Sequence, residues 1–160
     1  MKLFLWDVEI EQIVFKLTNE ERERIGVPPL IYNKQLSILA KEHSEDMQKR
    51  GYFSHNTPEG LTPDDRARKK GINVIKDFGN FYQVGIGENI MDMPITFVPF
   101  FITVENCFIV LTNHQIAQCA INGWKRSPDH YSNMISADYT EIGVGVYCNF
   151  LNCKLTQEFR

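Results

Sequence analysis

The sequence predicts an α+β fold with helices on both sides of an antiparallel sheet. Apolar residues repeat at helical spacing over the N-terminal third of the chain, whereas strand-like alternation dominates its C-terminal end. A further helical stretch lies between them. Helices that precede and separate the strands of an antiparallel sheet are typical of a helix–sheet–helix arrangement.

Two amphipathic helices are expected first. One runs from Val8 to about Arg24, where a glycine and a proline follow it. The second begins near Asn33 and ends at Gly51, a natural helix terminator. Its apolar face carries His43. A histidine in that position is more often a hydrogen-bonded core residue than a ligand, and we predict the core role.

Two further helices are indicated by their end signals. Thr62 suits an N-cap, Pro63 suits the first helical position, and Gly71 closes the element, which should therefore be a short helix. Another helix is predicted from Asn113, with Pro128 ending it.

The chain closes on two predicted strands that form a C-terminal β-hairpin. In "EIGVGVYC", Ile142, Val144 and Val146 alternate with Gly143 and Gly145, so one face is apolar and the other is nearly bare. A bare glycine face allows a helix or another backbone to approach closely. The following "CKLTQEF" should return antiparallel to the first strand.

The composition excludes several classes of protein. The 160 residues fit one domain, and 43% hydrophobic and 23% charged residues are typical of a globular chain. A net charge of −3 provides no broad basic surface, so we expect no nucleic acid partner. The longest apolar region, 93–104, contains two prolines and is shorter than the roughly 20 residues of a transmembrane helix.

The N-terminal apolar stretch, residues 3–6, is too short for the apolar region of a signal peptide. Either the protein stays in the cytoplasm or these residues follow a leader that has been removed. The sequence alone leaves both locations open.

Four cysteines lie in the last third of the chain, without the spacing of a zinc ribbon or a redox Cys-x-x-Cys motif. Cys148 and Cys153 flank the turn of the predicted hairpin and could face each other there. Cys107 and Cys119 would then be the remaining pair. Disulfides would imply an oxidising compartment, while buried free thiols in a cytosolic protein are the alternative.

Three polar residues, His55, Glu88 and His130, each lie at a break marked by glycine or proline, where a scaffold commonly presents functional groups. Two neutral imidazoles with a carboxylate nearby can bind a divalent transition metal, zinc most readily. The same three groups could perform acid–base chemistry. A hydrogen-bonded network that ties three loops together is the structural alternative.

Four segments carry a resemblance to a known family: "HSEDMQKRGYFSH", "GIGENI", "GWKRSPDHYSNMI" and "YTEIGVGVYC…KLTQEF". In this order they look like successive signatures of the CAP superfamily (cysteine-rich secretory proteins, antigen 5 and pathogenesis-related class 1 proteins; SCP domain), and most of all its prokaryotic-type branch. The resemblance implies a three-layer α–β–α sandwich with a central cleft, and a single CAP/SCP domain over residues 8–160.

The resemblance also implies a set of cleft residues. His55, Glu88 and His130 match three members of the family's tetrad of two histidines and two acidic residues, and Ser127 stands where the second glutamate is expected. On this view Ser-Pro-Asp turns the chain so that His130 faces His55. These two histidines would be the metal ligands, with zinc as the cofactor. With Ser127 in place of that glutamate, the cleft lacks one carboxylate that could act as a base.

The segment 94–112 departs from the prokaryotic-type pattern because it forms a long apolar insertion. It is rich in large apolar residues, and Glu105-Asn106 could form a turn between two strands. It is either a hairpin packed on the core or an apolar lid beside the cleft, for a lipid-like ligand or a second subunit.

Two functions follow. The favoured one is a secreted, non-enzymatic binding module, extracellular or in the cell envelope. Its cleft would bind a divalent metal or a small apolar or lipid-like ligand, and its surface a protein partner at the cell surface. The alternative is a zinc-dependent hydrolase such as a peptidase, in which Glu88 would activate a water on a metal held by His55 and His130.

Overall fold

The computed structural model describes residues 2–97 and 109–160, with side chains for 6–95 and 111–160. Its helices are α1 (Lys2–Arg24), α2 (Lys34–Arg50), α3 (Pro63–Lys69), α4 (Asn113–Arg126) and α5 (Pro128–Ile135). Its strands are β1 (Ile31–Tyr32), β2 (Ile75–Asp77), β3 (Tyr82–Val84), β4 (Gly87–Pro94), β5 (Thr96–Phe97), β6 (Ile109–Val110), β7 (Glu141–Cys148) and β8 (Asn152–Phe159).

The central sheet has the strand order β1-β7-β8-β4. Strands β7, β8 and β4 pair antiparallel, and the short β1 adds a parallel edge. Helix α2 packs on one face, while α1, α4 and α5 pack on the opposite side. The predicted α–β–α sandwich with its C-terminal hairpin is therefore confirmed, with one parallel strand that was not predicted.

Helix α2 lies directly on the glycine face of β7, as the alternation predicted. A Cβ added at Gly143 would lie 2.1 Å from the carbonyl carbon of Leu36, and one at Gly145 would lie 2.0 Å from the nitrogen of Lys41. These are backbone atoms of α2. The helix is capped at its start by Asn33, whose side chain accepts two backbone hydrogen bonds, and ends at Gly51 with φ 68°.

The opposite face of the sheet carries the larger apolar core, which α1 helps to close. The helix begins at Lys2, so the predicted start at Val8 is wrong. Two acidic residues of α1 bind backbone amides of β7. Asp7 accepts a hydrogen bond from the Cys148 amide, and Glu11 accepts one from the Val146 amide. No helix in the described part of the chain has the length and apolar character needed to cross a bilayer.

The hairpin between β7 and β8 carries the predicted disulfide, Cys148–Cys153, which joins residues directly opposite each other in the ladder. Cys119 is exposed and forms no disulfide with any described residue, and its predicted partner Cys107 lies outside the described part of the chain.

The apolar insertion is described only at its ends. There β5 pairs antiparallel with β6, and Ile95 is buried in the core. The proposed turn at Glu105-Asn106 and the lid lie in residues 98–108, outside the described part of the chain.

Candidate functional site

An open cleft of about 690 Å³ lies between the loop that follows α2, strand β4 and the junction of α4 with α5. His55, Ser127 and His130 line it, together with apolar groups that include Phe53 and Met91. The imidazole rings of His55 and His130 have centroids 6.2 Å apart and planes inclined by 40°. The structure thus brings the two histidines, 75 residues apart in the chain (130 − 55), to one hollow.

Glu88 lies behind His55 rather than in the cleft. It is on β4 and its side chain is only 2% exposed. Its Oε1 is 2.7 Å from Nδ1 of His55, and its Oε2 pairs with the Arg66 guanidinium. Burial alone would raise the pKa of Glu88, but the hydrogen bond from His55 and the charge of Arg66 outweigh it and hold the pKa below its usual value. Glu88 is therefore an ionised support for the His55 ring.

The backbone around His55 is fixed as well. Nε2 of His43 is 3.0 Å from the carbonyl oxygen of Ser54, and Arg66 donates to the carbonyl oxygen of His55 at 2.6 Å. Burial lowers the pKa of His43, so the ring is neutral and donates through Nε2. The prediction that His43 is a hydrogen-bonded core histidine is confirmed, and its partner is the loop that presents His55.

His130 lies in a helix, which corrects the prediction that it follows a break at Pro128. Pro128 does not simply end α4, because it occupies the first turn of α5, and His130 follows in that same turn. Ser127 joins the two helices with extended backbone, and its side chain makes no cap hydrogen bond. The Asn89 side chain donates to the His130 carbonyl at 3.0 Å. Burial, and then the charge of His55, lower the pKa of His130.

Sequence reasoning missed two ionisable residues that lie behind the cleft, Arg66 and Glu158. Glu158 is fully buried on β8, and its Cα is paired with that of Glu88 in the ladder. Nη2 of Arg66 is 3.7 Å from Oε1 of Glu158. A signal was present, because Lys154, Thr156 and Glu158 alternate along a strand that runs inside the sheet. Polar residues on a buried strand face indicate a polar layer beneath the adjoining helix.

The site fits a metal ion in part. Nδ1 of His55 is hydrogen-bonded to the Glu88 carboxylate, which leaves Nε2 available to coordinate an ion. Metal-binding histidines commonly have such a carboxylate partner. Among the residues with described side chains, however, no group of three His, Cys, Asp or Glu could hold a metal ion together. The arrangement therefore offers two imidazoles, and the remaining coordination positions of an ion would need water or an incoming ligand.

Solved structures share this fold. An extracellular protein containing a SCP domain, from Bacillus anthracis, matches with a TM-score of 0.68 and 28% identity over 96% of this chain and 40% of that one. An outer surface protein from Borrelia burgdorferi matches with a TM-score of 0.67 and 17% identity over 95% of this chain and 92% of that one. The second likeness is one of fold alone. The first likeness shows that this chain shares the fold of a protein that contains a SCP domain.

The family model for CAP, the cysteine-rich secretory protein family, matches residues 15–159, so the chain belongs to the CAP family. It is 29% identical over 135 residues to the uncharacterized protein YkwD and 28% identical over 136 residues to the uncharacterized membrane protein YlbC, both of Bacillus subtilis. These matches cover 84% and 85% of this chain but 41% and 31% of the relatives. The chain therefore spans less than half the length of either.

Proposed function

We propose that this chain is a binding module whose cleft binds a divalent transition metal ion, zinc most readily, through His55 and His130. The observation that carries the proposal is the shared cleft, with ring centroids 6.2 Å apart and one ring oriented by Glu88. Neutral imidazoles are good zinc ligands. A bound ion would provide a Lewis-acid site that holds an oxygen or nitrogen atom of an incoming ligand.

The environment of Glu88 supports a binding role over the alternative of a zinc-dependent hydrolase. A hydrolase would need Glu88 to take a proton from a water in the cleft. Its two oxygens are engaged by His55 and Arg66, its side chain is nearly inaccessible, and its pKa lies below its usual value. It is a poor proton acceptor in this position.

The cleft also has an apolar wall that suits a small apolar or lipid-like ligand. Phe53 is 49% exposed, and Met91 lies in the same cleft. We infer that such a ligand would lie against this wall and direct a polar group towards the imidazoles. Mass spectrometry of small molecules that co-purify with the native protein tests this inference. An apolar ligand should be more abundant in the wild-type sample than in that of a Phe53→Ser variant.

We further infer that the protein is extracellular or lies in the cell envelope, where it binds a protein partner. We also infer that residues 8–160 form a single domain. The support is the description of one matched structure as extracellular and another as an outer surface protein, together with the disulfide in the hairpin. The family match over residues 15–159 supports the extent of the domain.

Calorimetric titration of the metal-free protein with zinc tests the metal site. We expect binding near neutral pH that weakens on acidification, because protonated imidazoles no longer coordinate. The double variant His55→Ala/His130→Ala should lose measurable binding. His114→Ala is the matched control, because this histidine is exposed in the first turn of α4 and does not line the cleft. A double variant that binds zinc as tightly as the His114→Ala control would refute the proposal.

A further inference from the structure

The starting observation is a pair of buried carboxyl groups behind the cleft. Glu88 and Glu158 are directly opposite each other on β4 and β8, and the Arg66 guanidinium approaches both carboxyl groups. Glu158 is 0% exposed. Arg66 is the neighbouring cation, paired closely with Glu88 and 3.7 Å from Glu158. Two negative charges and one positive charge in this position would leave a net buried charge.

Glu158 lacks the hydrogen-bond donors that an ionised carboxylate requires. Within the described part of the chain, neither of its oxygens has a donor partner. Burying an ionised carboxylate without donors is strongly unfavourable. The carboxylic acid form avoids this cost, because its O–H can donate to the ionised Glu88. Burial, and then the charge of Glu88, raise the pKa of Glu158 well above its usual value, which agrees with this assignment.

We propose that Glu158 is a positioning residue of the cleft, whose protonated carboxyl group donates a hydrogen bond to Glu88 and so fixes the carboxylate that orients His55. The inference rests on the proposed function only in that His55 is taken as a ligand. Glu88 is then held from three sides: Glu158 from the sheet, Arg66 from α3, and the His55 ring itself. Glu158 thus provides a second carboxyl group behind the cleft, whereas Ser127 lines the cleft itself.

This arrangement predicts the tautomer of His55. The ionised Glu88 accepts the proton of Nδ1, which leaves the Nε2 lone pair free. Imidazole nitrogen NMR spectra of the metal-free protein report the tautomer directly. We expect the Nδ1–H form in the wild type and in Glu158→Gln, because the amide can also donate to Glu88. In Glu158→Leu the donor is lost, and a mixture of tautomers should result.

Thr156→Val is the matched control, because Thr156 is a buried polar residue on the same strand face that bonds Ser44 rather than Glu88. It should keep the wild-type tautomer. The zinc dissociation constant should rise roughly tenfold in Glu158→Leu and by less than about threefold in Glu158→Gln. A Glu158→Leu variant with the wild-type tautomer would overturn the inference, as would a Glu158→Gln variant that loses the tautomer to the same extent as the leucine variant.

The tautomer comparison remains valid even if the wild type binds no zinc, and in that case only the proposed metal site is refuted.

If Glu158→Leu does not fold, urea unfolding of the wild type and Glu158→Gln over a pH series tests the inference instead. Above the ordinary carboxyl pKa of 4.5 the unfolded wild type releases the Glu158 proton while the folded protein retains it. Wild-type stability should therefore fall relative to Glu158→Gln as the pH rises. A constant difference would overturn the inference.

Glu59→Gln provides the contrast for this pH series. The hydrogen bond from Arg50 lowers the pKa of Glu59 to about 2, so its contribution to stability is complete above 4.5 and is lost as the pH falls towards 2. The difference between wild type and Glu59→Gln should thus be constant in the range where that of Glu158→Gln changes.

Discussion

Replacing Gly145 with alanine should destabilise the protein by roughly 3 kcal/mol or more, or prevent folding altogether. The added methyl group would lie 2.0 Å from the nitrogen of Lys41 and 2.3 Å from the carbonyl carbon of Ala40. These backbone atoms are held by the hydrogen bonds of α2 and cannot rotate away. The helix would have to leave the sheet, and it would carry His43 and the loop of His55 with it. Urea unfolding monitored by circular dichroism measures the loss.

Gly123→Ala is the control for this substitution. Its new methyl group would lie 2.6 Å from Cε of Met91, the flexible end of a side chain that can change its rotamer. We expect a cost below about 1.5 kcal/mol. Equal stability of the two variants would show that α2 does not rest on the glycine face of β7.

Arg22→Met should cost about 3–5 kcal/mol of unfolding free energy, because a fully buried guanidinium would be removed from its acceptors. Arg22 donates to the carbonyl oxygens of Pro28, Met134, Ser136 and Tyr139 at 2.8–3.2 Å. Methionine fills similar space but leaves these carbonyls without donors. The end of α5 would lose its support, so the unfolding measurement should be combined with a zinc titration that reports on His130.

Arg24→Met tests whether the effect comes from burial. Arg24 is two residues away on α1, has a side chain that is 62% exposed and pairs with Glu21. Glu21 would keep Lys125 and Tyr131 as partners. We therefore expect a much smaller loss of unfolding free energy than in Arg22→Met. Comparable losses in the two variants would contradict the role assigned to the buried guanidinium.

The features that the sequence predicted well depend on contacts between residues close in the chain. Thr62 and Asp65 form a reciprocal capping box, with Pro63 between them in the first helical position. The disulfide of the C-terminal hairpin joins Cys148 and Cys153, which are separated only by the turn. In both cases one short segment contains all the groups that determine the structure.

The features that were missed depend on distant partners. A proline after a helix can end it or begin another, since its missing N–H is tolerated in a first turn. Here α5 begins at Pro128, and its position is fixed by Asn89 and Arg22, which precede it by many residues. The pairing of Glu158 with Glu88 and Arg66 likewise requires the sheet register and the position of α3. Local patterns could indicate a polar strand face but not its partners.

The carboxylates of α1 also determine how the sheet ends. Beyond the short β1, the outward amides of β7 at Val144, Val146 and Cys148 are bound by Ser37, Glu11 and Asp7. These amides are therefore not available to pair with an extended segment of another molecule. The two acidic side chains also occupy the position that such a strand would take. This side of the molecule is thereby protected against strand exchange and fibril-like growth.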